Sequence, residues 1–67
     1  MDENWVKVYT SSDFFKVELA RQFLIDNEID AVLINKQGYP YNIGEVELYV
    51  QPENTGKAGQ LIQQHAL

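Results

Sequence analysis

Cysteine is absent from this chain of 67 residues, and histidine occurs only once, at position 65. Without cysteine the chain can form neither a disulfide nor a thiolate metal site. A domain this small buries only about 60% of the surface of its unfolded chain, so disulfides, a metal or oligomerisation are commonly needed. We therefore expect a single domain, residues 1–67, that forms a homo-oligomer, with a dimer favoured, and uses no cofactor.

Basic residues are also few. Five of them stand against ten acidic residues, which gives a formal net charge of −5. The basic residues are scattered, whereas nucleic acids and anionic membranes require a clustered basic surface. The N-terminus is acidic where a signal peptide is basic, and the longest apolar run, Ala31–Ile34, is too short to span a bilayer. The composition thus argues against nucleic-acid and membrane partners and favours the cytoplasm.

Hydrophobic periodicity predicts three strands and two helices. Trp5–Thr10 and Glu45–Gln51 alternate with a period of two, and Asp30–Asn35 is a short run rich in β-branched residues. Asp13–Asn27 and Glu53–His65 instead carry apolar residues at helical spacing. This order is that of a ferredoxin-like βαββαβ unit without its last strand.

The order predicts an α+β fold with a three-stranded sheet and two helices on one face. A right-handed crossover should leave the first two strands parallel, with the third strand between them and antiparallel to both. The opposite face of the sheet is then bare. By alternation we expect it to carry these side chains: Trp5, Lys7, Tyr9, Ala31, Leu33, Glu45, Glu47 and Tyr49.

The ends of the first helix have local explanations in the sequence. Ser11 or Ser12 can cap its N-terminus, and Asn27 can adopt the left-handed conformation after its C-terminus. Glu18 and Arg21 have the spacing of an ion pair. The apolar stripe should consist of Val17, Leu19, Ala20, Phe23 and Leu24.

The bare sheet face is the main candidate site. Its interface candidates are Trp5, Tyr9, Leu33, Glu47 and Tyr49. Tryptophan and tyrosine are enriched at interface cores, so these residues predict a contact surface, most simply of a homodimer. The alternative is purely structural, because cross-strand aromatic pairs stabilise a sheet without any partner.

The one long loop, Lys36–Gly44, is the second candidate. Tyr39, Pro40 and Tyr41 have the character of a recognition loop, since binding residues concentrate on loops. Glycine and proline equally serve the turn geometry of a hairpin connection, and the sequence leaves both interpretations open.

No residue set in the sequence identifies a reaction, and we expect no enzyme and no catalytic or metal site. Glu45 and Glu47 stand two residues apart on one strand face, but we expect a solvated acidic face in which Lys7 pairs with one of them. His65 fits a partner for the dipole at a helix C-terminus. The chain has no phosphate-binding loop, dinucleotide fingerprint or metal-spaced cluster.

Several segments resemble a known family. They are Val6–Ser11, Glu18–Ala20, Asn27–Val32, Gly44–Val50 and the following Pro52-Glu53. Together they resemble short bacterial domains known as prokaryotic signal-transducing proteins, which are related by fold to the PII nitrogen regulators. PII proteins form trimers that bind nucleotide and 2-oxoglutarate between subunits. The present loop is shorter and the sequence ends before the fourth strand, so no ligand residue is transferred.

The sequence therefore predicts a small regulatory module that self-associates through its sheet and binds a protein partner, in keeping with signal transduction. The alternative is a sensor that holds a small ligand between subunits, near the 36–44 loop.

Overall fold

The computed structural model describes residues 4–38, 40 and 43–65. Its elements follow the predicted order, and each predicted end lies within two residues of the observed one. They are β1 (Val6–Ser11), α1 (Phe14–Asp26), β2 (Ala31–Asn35), β3 (Val46–Val50), a 3₁₀ turn (Pro52–Asn54) and α2 (Thr55–Gln64).

The strand β3 lies in the middle of the sheet and pairs antiparallel with β1 on one side and β2 on the other. The strands β1 and β2 therefore run parallel, as the crossover rule predicts. Both helices pack on the same side of this sheet, which confirms the α+β, truncated ferredoxin-like fold. The buried core joins the following residues: Val17, Ala20, Leu24, Ile29, Val46, Leu48, Val50, Ala58 and Ile62.

A β-bulge in β1 reverses the face predicted for Tyr9. Lys7 lies opposite Tyr49, but Tyr9 lies opposite Leu48, because Val8 is an extra residue between them. Since Leu48 is fully buried, Tyr9 lies on the side of the helices, where it packs against the core. Its predicted place on the bare face is therefore wrong, because strict alternation of side chains does not anticipate a bulge.

The side chains of β2 face the opposite sides of the sheet from those predicted. Ala31 lies opposite Val50 and Leu33 lies opposite Leu48, so both pack on the side of the helices. The prediction that Ala31 and Leu33 belong to the bare face is wrong. Positions 31–34 are all apolar, and an unbroken apolar run gives no indication of which side chains face the core.

The N-terminus of α1 is capped by Asp13 and not by a serine. The carboxylate of Asp13 accepts from the backbone N–H of Phe15 at 3.0 Å, and Ser11 Oγ accepts from the N–H of Asp13 at 3.0 Å. After the helix, the residue with positive φ is Glu28, at 64°, whereas Asn27 has φ −100°. The predictions for both ends identified the correct region but the wrong residue.

The strands β2 and β3 form a hairpin whose pairing continues beyond their ends. The N–H of Lys36 donates to the carbonyl of Glu45 at 3.1 Å, and that of Gly38 donates to Ile43 at 2.9 Å. Gly44 has φ 127°, and a Cβ atom there would lie 2.6 Å from the carbonyl oxygen of Lys36. The hairpin therefore requires glycine at this position.

Candidate functional site

We use the term outer face for the side of the sheet opposite the helices. Cross-strand register assigns residues to it, because directly opposite residues in an antiparallel pair project to the same side. Its described members are Lys7, Thr10, Val32, Ile34, Lys36, Glu45, Glu47 and Tyr49. This face is the candidate functional site.

A carboxylate with three partners lies at the centre of the outer face. Tyr49 Oη donates to Glu47 Oε1 at 2.7 Å, and Lys36 Nζ lies 3.0 Å from the same oxygen. Lys7 Nζ lies 3.5 Å from Glu47 Oε2, which confirms that Lys7 pairs with one of the two glutamates, Glu45 and Glu47. Because β3 is the central strand, the two lysines reach Glu47 from opposite neighbours.

The expectation that Glu47 is solvated is wrong, and these partners explain how a charged residue is buried on a face that no described element covers. Glu47 is only 8% exposed, whereas the side chains of Lys7 and Lys36 are 49% and 57% exposed. Lysine side chains can lay their alkyl stems along a surface while their charged ends stay near water. The carboxylate is thus neutralised by lysines whose own side chains remain about half exposed.

The hydrogen bonds of this cluster shift the ionisation of its members. Donation from Tyr49, and secondarily from Lys36, lowers the pKa of Glu47 from 4.5 to about 2. The same contacts raise the pKa of Tyr49 and the pKa of Lys36, since each is bonded to the charged carboxylate. A carboxylate this acidic stays ionised near neutral pH and is poorly matched to general acid–base catalysis.

The other glutamate, Glu45, has a simpler environment than Glu47. Thr10 Oγ1 lies 2.8 Å from Glu45 Oε2 and 3.2 Å from the carbonyl oxygen of Val46, and its hydroxyl can donate to either. Glu45 is exposed and lies directly before β3. It therefore supplies the outer face with a charge that remains accessible to a partner.

The structure brings together only part of the predicted site. Glu47 and Tyr49 lie on the outer face as expected, and Trp5 is half-buried directly before β1. Tyr9 and Leu33 lie on the other side of the sheet. In the loop, Pro40 is exposed in a turn, while the candidates Tyr39 and Tyr41 lie outside the described residues.

Sequence reasoning missed four members of the outer face, namely Thr10, Val32, Ile34 and Lys36. Thr10 follows the bulge of β1. The other three stand two residues apart, and Lys36 is the one member of this series whose charge favours an outward position. Extending the strand pattern into the loop as far as Lys36 would have predicted the correct phase for β2.

A second apolar surface lies on α1. Leu19 is 60% exposed and Phe15 is 75% exposed, so the predicted membership of Leu19 in the buried stripe is wrong. The stripe that reaches the core is narrower, with Val17, Ala20 and Leu24 fully buried. Phe15 and Leu19 are four residues apart and therefore adjacent on the helix surface.

The described part of the chain forms no pocket and brings together no group of three or more metal-binding side chains. Its helices are too short and too polar to cross a membrane. Comparisons of the chain with protein-family models, curated proteins and solved structures found no match. The resemblance to prokaryotic signal-transducing proteins therefore stays a prediction.

Proposed function

We propose that this chain is a small interaction module that self-associates through its sheet and presents its outer face to a protein partner. The observation that carries the proposal is that no element among the described residues covers this face of the sheet. This face combines apolar side chains with charged ones, as a non-obligate protein interface combines an apolar core with a polar rim.

The apolar part of the outer face lies on β2 and β3. Val32 and Ile34 are only half-buried, and Tyr49 is half-buried beside Val32 on the neighbouring strand. The tyrosine ring offers a large contact area at a low entropy cost, because it has few rotatable bonds. A partner that covers these residues would remove further apolar surface from water, which is the main driving force of association.

The charges of the outer face also favour this surface over the rest of the molecule. Two lysines and two glutamates give it a formal charge of zero: Lys7, Lys36, Glu45 and Glu47. Elsewhere among the described residues, six acidic residues stand against three basic ones. Another acidic protein, including a second copy, is therefore repelled least at the outer face.

Sedimentation equilibrium over a range of concentrations tests the self-association. We expect a mass above the 7.7 kDa of one chain, approaching twice that value as concentration rises. Replacing Val32 and Ile34 together with serine should shift the equilibrium toward the monomer, since it removes the apolar part of β2 from the surface.

The matched control replaces Phe15 and Leu19 with serine, because these residues are also apolar and exposed but lie on α1. This control should associate like the original chain, and circular dichroism should show that both variants are folded. A mass of 7.7 kDa at every concentration would refute the self-association. Equal weakening by both double substitutions would mean that the sheet is not the contact surface.

A cytoplasmic role in bacterial regulation belongs to this proposal and is supported by the sequence alone.

A further inference from the structure

The sheet has two edges, formed by the outer sides of β1 and β2, and no strand among the described residues pairs with either. An unpaired edge exposes backbone groups that can accept a further strand. The edges differ in regularity. The strand β1 is bulged at Val8, and bulges are a common means of preventing edge pairing, whereas β2 keeps an unbroken register from Ala31 to Asn35.

The hairpin shows which backbone groups of β2 point outward. The N–H of Lys36 donates to β3, at the carbonyl of Glu45. In an antiparallel ladder, residues that bond to the neighbouring strand alternate with residues that do not. Val32 and Ile34 therefore bond to β3 as Lys36 does. The N–H and C=O groups of Ala31, Leu33 and Asn35 point to the open edge.

We propose that β2 pairs antiparallel with β2 of a second copy, about a twofold axis at Leu33, so that two sheets join into one of six strands. This inference deepens the proposed self-association and rests on it. Leu33 then lies opposite the partner's Leu33, and Ala31 lies opposite the partner's Asn35. Every backbone group that these residues direct outward gains a hydrogen-bond partner in this register.

Charge complementarity favours this register. With the axis at Leu33, Asp30 lies opposite the partner's Lys36, and the symmetry repeats this pair on the other side of the axis. Asp30 is exposed, and the side chain of Lys36 is 57% exposed, so both can accommodate a partner. Opposite charges directly across a strand pair stabilise it, and antiparallel registers with other axes lose this pair.

The same pairing covers apolar surface that one copy leaves open. Residues 31–34 of β2 are apolar and only half-buried. Across the axis, Val32 lies beside the partner's Ile34 on the outer face. Leu33 lies opposite the partner's Leu33 on the side of the helices. The two outer faces then become continuous and remain available to a further protein.

Single cysteine substitutions test the register, because the chain has no cysteine of its own. Val32 and the partner's Ile34 form a non-hydrogen-bonded pair, with Cα atoms about 4.5 Å apart, a distance that a disulfide can span. The variants Val32→Cys and Ile34→Cys are mixed under reduction, allowed to exchange subunits and then oxidised gently. Non-reducing electrophoresis and peptide mass spectrometry then identify the disulfides.

We expect at least about tenfold more disulfide-linked dimer in the mixture than in either variant alone, because like positions are farther apart across the axis. Thr10→Cys is the matched control, since Thr10 is exposed on the outer face but belongs to β1. It should form no disulfide with either β2 variant. Sedimentation of the reduced variants should show that they still associate.

The proposed β2 pairing would be overturned if the separate variants formed as much disulfide-linked dimer as the mixture. It would also be overturned if the mixture formed no disulfide although the original chain sediments as a dimer. Self-association would stand in that case. A chain that sediments at 7.7 kDa throughout would instead refute the proposed self-association and with it this inference.

Discussion

At the scale of single residues, Glu47 shows how position in a sheet determines ionisation. One residue separates it from Glu45, which directly precedes β3 on the same face, yet of the two only Glu47 lies between Lys7 and Lys36 and accepts a hydrogen bond from Tyr49. The central strand receives cross-strand neighbours on both sides, whereas a residue near the end of that strand receives fewer. The two glutamates therefore differ in burial although their sequence contexts are alike.

The shifted pKa of Glu47 makes the stability of the fold depend on pH. The pKa of Glu47 is about 2 in the folded chain, below its usual 4.5. As pH falls, the unfolded chain therefore binds a proton before the folded chain does. The stabilisation is complete above pH 4.5 and is lost as pH falls toward 2. Glu47→Gln should lower the melting temperature at neutral pH and flatten its dependence on pH in this window.

The control for this prediction is Glu45→Gln, which removes a carboxylate from the same face but leaves Glu47 and its partners in place. Thermal melts followed by circular dichroism between pH 2 and 7 should give this control the acid dependence of the original chain. An equally steep acid limb in Glu47→Gln would show that another group causes it.

At the scale of secondary-structure elements, the first turn of α1 depends on one side chain. Asp13 accepts the N–H of Phe15 and places a negative charge at the positive end of the helix dipole. The serines before it are also capping residues by type, and Ser11 is used instead to bind the N–H of Asp13. The preference of certain residue types for capping positions therefore identifies where the helix begins. The backbone geometry determines which of these residues is the N-cap.

We therefore predict that Asp13→Ala lowers the free energy of unfolding by about 0.5–2 kcal/mol, the usual cost of losing an N-cap. Ser12→Ala should change it by less than about 0.5 kcal/mol, as is typical of surface substitutions. Urea denaturation of the two variants measures both values. A larger loss in Ser12→Ala than in Asp13→Ala would show that the helix is capped differently in solution.

The two edge strands show that the alternation of apolar and polar residues does not always predict which side chains face the core. In β3 the alternation is clean, and Val46, Leu48 and Val50 are all fully buried as predicted. In β1 the bulge at Val8 moves Tyr9 to the helix side, and in β2 the apolar run hides the phase. A strand's pattern predicts its faces only when polar residues and an unbroken register mark them.

At the scale of the whole molecule, one layer of helices covers one side of the sheet, and the shortest dimension is 15 Å against a longest of 36 Å. So thin a molecule has a large surface for its core, which favours association. Its charge opposes association, because two copies of net charge −5 repel each other. At about 25 Å separation in unscreened water that repulsion is about 4 kcal/mol.

We therefore predict that salt strengthens the self-association. Raising ionic strength from 0.01 M to 0.15 M shortens the Debye length from about 30 Å to about 8 Å and screens the long-range repulsion. Exposed ion pairs between copies contribute only about 0.2–1 kcal/mol each, so their weakening is the smaller effect. Sedimentation equilibrium at the two salt concentrations measures the change. A tighter dimer at 0.01 M would contradict this prediction.

The sequence by itself determined the order of elements, their boundaries to within two residues and the buried side of β3. These properties follow from local periodicity and turn chemistry, which neighbouring residues are enough to specify. The sequence also predicted that Glu47 and Tyr49 share the outer face and that Lys7 pairs with a glutamate there.

Only the tertiary structure decided which residues of β1 and β2 accompany Glu47 and Tyr49. Strand pairing sets the register, and the bulge at Val8 and the position of Lys36 beside Glu45 belong to that pairing. Lys7 and Lys36 are 29 positions apart in the chain and meet at one carboxylate because β3 lies between their strands. Contacts between segments that are distant in the sequence depend on how the strands pair, and a local sequence pattern does not specify this pairing.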